Sequence, residues 1–384
     1  MKCFWLCFLA VVLWALPASA ELSMEGVMEQ QLGALNLREL DKQVMTVQNE
    51  FGAYLPDLDW KSALHPKKGF NWDLSKFFQG VMTYFFNQVV VNLHLLAKLL
   101  VLAAVYAVLK SLRTSFGSGG VSRMAHGVCY LAVMGLAVGS FKAAMTVGKE
   151  AIEQMVQVMQ ALIPLLLTIL GATGSLVSVS IFQPVTVLLI SLISTLMGSL
   201  VLPLISISAL LTLIGHLSED FPLARLAGLS KECALWLMGI FASIFAGAVL
   251  IQGAVTAVSD GVSLQTAKFA VGSFIPVVGG LFSDALEMMI GCSLIIRNAI
   301  GGIGIVLILL YCLFPALKII SLVLTYRLAA ALVQPIGDGN LVNCLGGIAN
   351  SLVLIFAALA LVTLMFFILL TVLIGSGNIA AMLR

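Results

Sequence analysis

Long apolar stretches dominate the chain from residue 81 onward and decide what it can fold into. Residues 81–384 carry nine acidic and thirteen basic side chains among 304 positions, and several stretches run for 20 or more residues with almost no charge. About 20 apolar residues are enough for a helix to cross a bilayer, whereas a soluble domain has about 25% charged residues. The sequence therefore predicts an all-α polytopic membrane protein with about 6–8 transmembrane helices.

The first 86 residues differ from the rest of the chain. Lys2, the apolar stretch Cys3–Leu16 and the small residues Ala18-Ser19-Ala20 together predict a signal peptide over residues 1–20. The alternative is an uncleaved anchor helix. In both cases residues 21–86 form a short helical head outside the cytoplasm.

One helix of the head has a single apolar face, which we call the apolar stripe. Its members recur at spacings of three and four residues: Leu37, Leu40, Val44, Val47 and Phe51. Asn36 with Glu39 resembles a capping box that would start this helix. Because two heptads are too short to be stable alone in water, the stripe must pack on something. We consider two coverings, the rest of the head or a helix of a partner protein.

The membrane part contains an internal duplication. Four pairs of residues are separated by 111 to 113 positions: Pro164 with Pro276, Pro203 with Pro315, Pro222 with Pro335, and Cys233 with Cys344. The chain then divides into a membrane hairpin over residues 87–147, a first repeat over 148–258, a second repeat over 259–374 and a C-terminal tail over 375–384. Such repeats are common in transport proteins.

The loop of the first hairpin fixes the expected orientation. Lys110, Arg113 and Arg123 lie in it without an acidic residue, which places it in the cytoplasm. The connecting segments 148–197 and 259–300 must then begin and end on the outer side. Pro164 and Pro276 lie within them, and proline breaks or bends a helix. Two alternatives follow for each connector: a re-entrant segment, or two ordinary kinked helices.

Two lysines inside apolar stretches are candidates for a conduit. Lys98 lies at the centre of the first span, near Asn92 and His94, and Lys318 follows Pro315. A lysine at mid-bilayer costs about 2.5–3.5 kcal/mol on insertion scales, so each should face protein or water. The alternatives to a conduit are interhelical hydrogen bonding and snorkelling.

A second polar feature lies in the first connector. Glu150, Glu153, Gln157 and Gln160 are spaced by three and four residues, opposite an apolar face that includes Val156 and Met159. This pattern predicts either an amphipathic helix lying on the membrane surface or the polar wall of a cavity mouth.

Signatures of catalysis are missing from the sequence. The four histidines (His65, His94, His126 and His216) are far apart, without metal-ligand spacing, and no nucleophile elbow or phosphate loop is present. We therefore expect no enzyme activity, no cofactor and no metal. The net charge of +2 also argues against a nucleic-acid partner.

Three stretches resemble one family. Residues 161–174 (ALIPLLLTILGATG), 269–282 (FAVGSFIPVVGGLF) and 373–378 (LIGSGN), with the signal peptide, the head and the repeated hairpins, are similar to the stage III sporulation protein AE family of endospore-forming Firmicutes. The resemblance implies a multi-pass protein of the mother-cell membrane around the forespore, with its head in the intermembrane space.

The same resemblance implies partners. Members of this family belong to a channel-like, secretion-like complex that joins mother cell and forespore and supports late forespore development. Its other parts are a cytoplasmic ATPase, ring-forming proteins and a forespore-side partner. The resemblance leaves two roles open, a permease-like core or a scaffold that recruits the other subunits. A transport core would use Lys98, Lys318 and the connector prolines, whereas a scaffold would use the apolar stripe and the cytoplasmic loops.

Overall fold

The computed structural model describes residues 24–56, 60–63, 73–116, 120–173, 176–215, 223–274, 279–335 and 339–382. These residues form helices joined by short turns. In chain order the helices are α1 (Met24–Ala34), α2 (Arg38–Phe51), α3 (Trp60–Ala63), α4 (Leu74–Phe116), α5 (Gly120–Ala172), α6 (Leu176–Leu196), a π-helical turn (Met197–Val201), α7 (Leu202–Gly215), α8 (Ala224–Phe274), α9 (Gly279–Val333) and α10 (Gly339–Met382).

Within the described part of the chain, six helical segments are long and apolar enough to cross a membrane. They are Leu74–Leu109, Gly127–Ala172, Ser178–Gly215, Arg225–Ala254, Met288–Val333 and Gly339–Ser376. Contacts between the helices give their directions. Gly148 lies against Ile319 and Gly304 against Leu162, so α5 and α9 are antiparallel. Asn92 bonds Ser321 and Tyr84 packs on Phe314, so α4 and α9 are parallel. Gly253 lies against Val372, and Lys231 and Ser351 border one cavity, so α8 and α10 are parallel. The predicted fold class, a polytopic helical membrane protein, is confirmed. The residues of the predicted signal peptide lie outside the described part of the chain.

Helices α9, α10 and α5 form the centre of the bundle. Gly148 of α5 lies against both Ile319 of α9 and Ile355 of α10, and a Cβ atom at position 148 would come within 2.7 Å of Ile355 Cγ2. A glycine at this crossing lets the three backbones approach closely. It also places Ile319 and Ile355 at the same level along the bundle.

The outer helices divide between two flanks. Helix α4 packs against α9 and α5, while α7 and α8 pack against α10. Asn92 of α4 donates a hydrogen bond to Ser321 Oγ at 2.8 Å, and on the other flank Gly253 of α8 lies against Val372 of α10. Both α4 and α8 therefore have one side on the bundle and one side facing outward.

The first connector, which the sequence places at residue 148, begins in the middle of a helix rather than at a turn. Helix α5 continues without interruption from Gly120 to Ala172, so the chain does not turn back at residue 148. The reason lies in the packing of its second half, where Val156, Met159 and Leu162 are buried against α9 and α10. Instead of lying flat on a membrane surface, the amphipathic segment 150–160 extends the preceding span.

The head docks on the long helices at one end of the bundle, which we call the head end. Gln31 Nε2 of α1 donates to the carbonyl of Met289 in α9 at 3.2 Å. The ring of Phe51 stacks on that of Phe314, with centroids 4.2 Å apart and planes 6° apart. The head therefore packs along α9 itself.

Local signals at the helix starts explain part of this arrangement. Asp73 caps α4, because its Oδ1 accepts a hydrogen bond from the Lys76 N–H at 3.3 Å, and that bond lowers the pKa of the Asp73 carboxyl. The predicted capping box at α2 is not formed, since the N-cap residue is Leu37 and its side chain forms no capping hydrogen bond. Asn36 Oδ1 accepts from the Arg38 N–H at 3.4 Å, and α2 begins at Arg38.

Candidate functional site

Lys98 lies on the outward side of α4 rather than inside the bundle. Its side chain is exposed, as is that of His94 one turn before it. Together with Ala97 of α4 and Ala132 of α5 they border a groove of about 530 Å³ on the surface between the two helices. In a bilayer a charged group in this position must be covered by protein or water, because lipid cannot solvate it.

The predicted neighbours of Lys98 are on a different side of the same helix. Asn92 points toward α9 and bonds Ser321, whose hydroxyl donates to the Lys318 carbonyl at 2.7 Å. Asn92 therefore belongs with Lys318, which is half-buried, while Lys98 and His94 face outward. The structure thus divides the predicted polar group into an interhelical hydrogen-bond network and an outward-facing pair.

The prolines proposed as re-entrant positions have different surroundings. Pro164 lies inside the continuous helix α5 and its ring is exposed. The Thr168 hydroxyl donates to the Pro164 carbonyl at 2.7 Å. Pro315 lies inside α9 and is buried. Pro276 lies outside the described residues.

The apolar stripe is covered by the chain itself. Leu40, Val44 and Val47 are buried, and α2 packs on α9 and α5. The Tyr311 hydroxyl of α9 donates to the Gln43 carbonyl at 3.3 Å. The covering in this structure consists mainly of membrane-domain helices, and binding of a partner protein by the stripe stays a prediction. A 14-residue helix gains more stability by packing on 50-residue helices than on other short segments.

A buried arginine was missed by the sequence reasoning. Arg297 of α9 is fully buried, and its Nη2 donates to Ser376 Oγ of α10 at 3.0 Å. One turn earlier, the Ser293 hydroxyl contacts Gln31 Oε1 of the head at 3.2 Å. The signal was available, because Arg297 is the only charged residue between Met288 and Leu317 and an isolated charge in an apolar stretch has to be buried with partners.

A cavity with several polar side chains on its wall lies at the other end of the bundle, which we call the far end. It has a volume of about 250 Å³ and lies between α7, α8 and α10, with Lys231 and Asn350 on its wall. The Ser208 hydroxyl of α7 donates to the Ala227 carbonyl of α8 at 2.9 Å. A Cβ atom at Gly347 would come within 2.6 Å of Thr212 Cγ2, so a larger residue there would displace the Thr212 side chain.

Comparison with known proteins identifies the family. The model of the family described as "Stage III sporulation protein AE" matches residues 60–377. The curated protein of that name from Bacillus subtilis (strain 168) is 36% identical over 361 residues, which cover 94% of this chain and 90% of the relative. This chain belongs to the stage III sporulation protein AE family. No solved structure matches it.

The polar residues of the bundle lie within the part of the chain that matches the family. Lys98, Arg297 and Lys318 fall within the matched residues 60–377, and the apolar stripe precedes them. The alignment with the stage III sporulation protein AE of B. subtilis is longer and spans nearly the whole chain. The resemblance read from the sequence is confirmed, and with it a role in sporulation.

Proposed function

We propose that this chain is the permease-like membrane core of the complex that joins mother cell and forespore, with a transport path that forms only when the protein is assembled. Family membership supports the sporulation role, and the six long apolar segments support a position in the membrane. The proposed setting is the mother-cell membrane around the forespore. The cytoplasmic ATPase, the ring-forming proteins and the forespore-side subunit remain the proposed partners.

The outward position of Lys98 carries this proposal. The centre of the bundle is filled by apolar side chains such as Leu162, Leu166 and Phe366, all fully buried. The charged group of the first span instead lies on the surface. A single copy leaves this charge uncovered, and in this proposal assembly in the membrane covers it.

A specific observation favours the alternative role of a scaffold. Helix α8 presents an outward face on which Trp236 is 72% exposed, with Ile240 and Ile244 on the following turns. Lipid-facing helices also have such residues, but aromatic side chains on an exposed apolar surface are typical of binding sites for other proteins. A scaffold would use this face to recruit subunits.

Replacing Lys98 by methionine in sporulating cells tests the proposal. Lys98→Met removes the charge but keeps a long side chain, so we expect late forespore gene expression to fall while the protein level stays normal. Lys142→Met is the matched control, because Lys142 is an exposed lysine of the neighbouring helix α5. Normal forespore expression in the Lys98 variant contradicts the proposal.

Purification of the complex separates the two roles. If the Lys98→Met chain co-purifies with the full set of partner subunits while forespore expression falls, the transport core is supported. If partner subunits are lost from the purified complex, the scaffold is supported. Both outcomes use a tagged full-length chain from sporulating cells.

A further inference from the structure

Opposite flanks of the bundle present side chains of opposite charge. On α4 Lys98 is exposed, and on α8 Glu232 is exposed. The other exposed charges with described side chains on these helices, Lys76 and Arg225, lie near the helix starts. Among the described residues neither of them forms an ion pair. Each charge lies beside a groove on its own flank, of about 530 Å³ on α4 and about 540 Å³ on α8.

The two charges lie at nearly the same depth. Lys98 is six residues beyond Asn92, which bonds Ser321, so it lies about 12 Å beyond Ile319 toward the far end at 1.5 Å per residue. Gly253 lies against Val372 of the parallel helix α10, which puts Glu232 level with Ser351. Ser351 is four residues, or about 6 Å, beyond Ile355 in the same direction. Since Ile319 and Ile355 share a level, the charges differ in depth by about one helical turn.

Helix direction brings the two side chains closer still. Side chains lean toward the N-terminus of their own helix. The N-terminus of α4 is at the head end and that of α8 is at the far end, so Lys98 leans toward the head end and Glu232 leans away from it. The remaining difference of about 6 Å is therefore reduced by the direction of both side chains.

The residues one helical turn closer to the head end on α4 and α8 are also complementary in size. One turn closer to the head end, α4 presents His94 and α8 presents Trp236, which is 72% exposed. The groove on the α4 flank is bordered by the small side chains of Ala97 and Ala132, which leave room for a large ring. A ring at this position would also lie close to the Lys98 ammonium, where cation–π attraction adds to the contact.

We propose that a second copy of this chain covers the α4 surface with its own α8, so that Lys98 of one copy pairs with Glu232 of the next and Trp236 enters the α4–α5 groove. This inference rests on the proposed function, since it names the partner that covers the α4 surface. The two surfaces lie on different flanks, so the contact is head-to-tail, and such contacts generate rings or continuous arrays.

Charge reversal and mixing of the full-length chain in lipid nanodiscs test this contact. We expect the wild-type chain to form assemblies by native mass measurement. Lys98→Glu and Glu232→Lys alone each bring like charges together, so each should weaken association by about tenfold or more. An equal mixture of the two variant chains should assemble like the wild type, because every contact between unlike chains again joins opposite charges. Lys142→Glu, on an exposed lysine outside the groove, should assemble normally.

Three results overturn the proposal: a wild-type chain that stays single, single variants that assemble like the wild type, or a mixture that fails to reassemble. A second measurement covers the case in which the variants do not fold. Val91, which is 68% exposed, and Gly239 each lie seven residues closer to the head end than Lys98 and Glu232, so they should meet in the same contact. Chains with Val91→Cys and Gly239→Cys, in a background with Cys129→Ser and Cys233→Ser, should cross-link between copies on mild oxidation. Val91→Cys combined with Val187→Cys, an exposed position on α6, should not. Equal cross-linking of both pairs, or of neither, also overturns the proposal.

If assembly is normal in all variants but Lys98→Met still abolishes forespore expression, the proposed function stands and the covering partner is another protein. If assembly behaves as expected but Lys98→Met sporulates normally, the contact is real and the proposed function fails.

Discussion

At the scale of single residues, the polar side chains of the bundle divide into buried and outward-facing groups that the sequence does not distinguish. Lys98 and Lys318 have similar neighbours in the sequence, yet only Lys98 faces outward. The difference arises from helix rotation, which depends on tertiary packing. Asn92 turns toward Ser321, and that contact sets which face of α4 is left outside. The sequence therefore shows that placing Lys98 in a bilayer costs free energy, but it does not show which protein surface or solvent covers the side chain.

Arg297 provides a test at this scale. We expect Arg297→Ala to destabilise the fold by about 2–5 kcal/mol, since it leaves a cavity and removes the donor to Ser376. Thermal unfolding in detergent is monitored by the rate of thiol labelling. Cys292 and Cys344 are fully buried and react only when the bundle opens. Arg327→Ala, at an exposed position, serves as control. Equal midpoints for the two variants would show that Arg297 contributes no stability.

At the scale of elements, periodicity predicts helices well but predicts their ends poorly. The predicted first hairpin ends at residue 147, and Glu150 and Glu153 were assigned to a separate amphipathic segment, whereas α5 runs on to Ala172. Their side chains are exposed, and the opposite face of the same turns is buried against α9 and α10. A polar face does not end a helix when its other face is covered. The 3.6-residue repeat predicted the amphipathic face correctly and its surroundings incorrectly.

The docking of α2 leads to a prediction about the head. We expect Val44→Asp to weaken its attachment by about 3–5 kcal/mol, because the new carboxylate is buried without a partner. Met45→Asp is the matched control, since Met45 is the next residue and is 59% exposed. Limited proteolysis of purified protein measures the effect as faster cleavage near residues 52–56. The same cleavage rate in both variants would show that burial of the apolar stripe does not stabilise the attachment of the head.

At the scale of the whole molecule, the bundle is longer than a bilayer is thick. The apolar segment Gly127–Ala172 has 46 residues, or about 69 Å of helix, against about 30 Å of hydrocarbon. A large part of the bundle must therefore lie outside the lipid. The number of spans was predicted from apolar length alone, and apolar length cannot separate a membrane face from a buried protein face. This is why neighbouring apolar stretches merged into six long segments.

Water accessibility along α5 tests this placement. We expect Gln157→Cys to react with a membrane-impermeant thiol reagent, because its side chain is exposed on the part of α5 nearer the head. Leu131 is 53% exposed but lies about 39 Å from Gln157 along the helix, among apolar neighbours. We therefore expect Leu131→Cys to stay unreactive. Both are measured in intact membranes, with a denatured sample as the reference for full labelling. Equal reactivity at the two positions would contradict a membrane placed around the far end.

The predicted duplication also belongs to this scale. Helix α8 begins at Ala224 and α10 at Gly339, and each follows a long helical segment, Ser178–Gly215 or Met288–Val333, that runs toward the far end. The recurring prolines do not have equivalent surroundings, since Pro203 is exposed and Pro315 is buried. The repeat therefore stays a prediction from spacing, and it concerns the order of the helices more than the packing of single residues.

The unbroken course of α9 has a mechanical consequence. Its 55 residues form a rod of about 80 Å, with the head fastened near Met289 and Phe314 and α10 alongside. A stiff rod does not shorten when it is pushed along its axis. A displacement imposed at one end by a force-generating neighbour would therefore arrive at the other end almost undiminished, without any small molecule having to cross the distance between them.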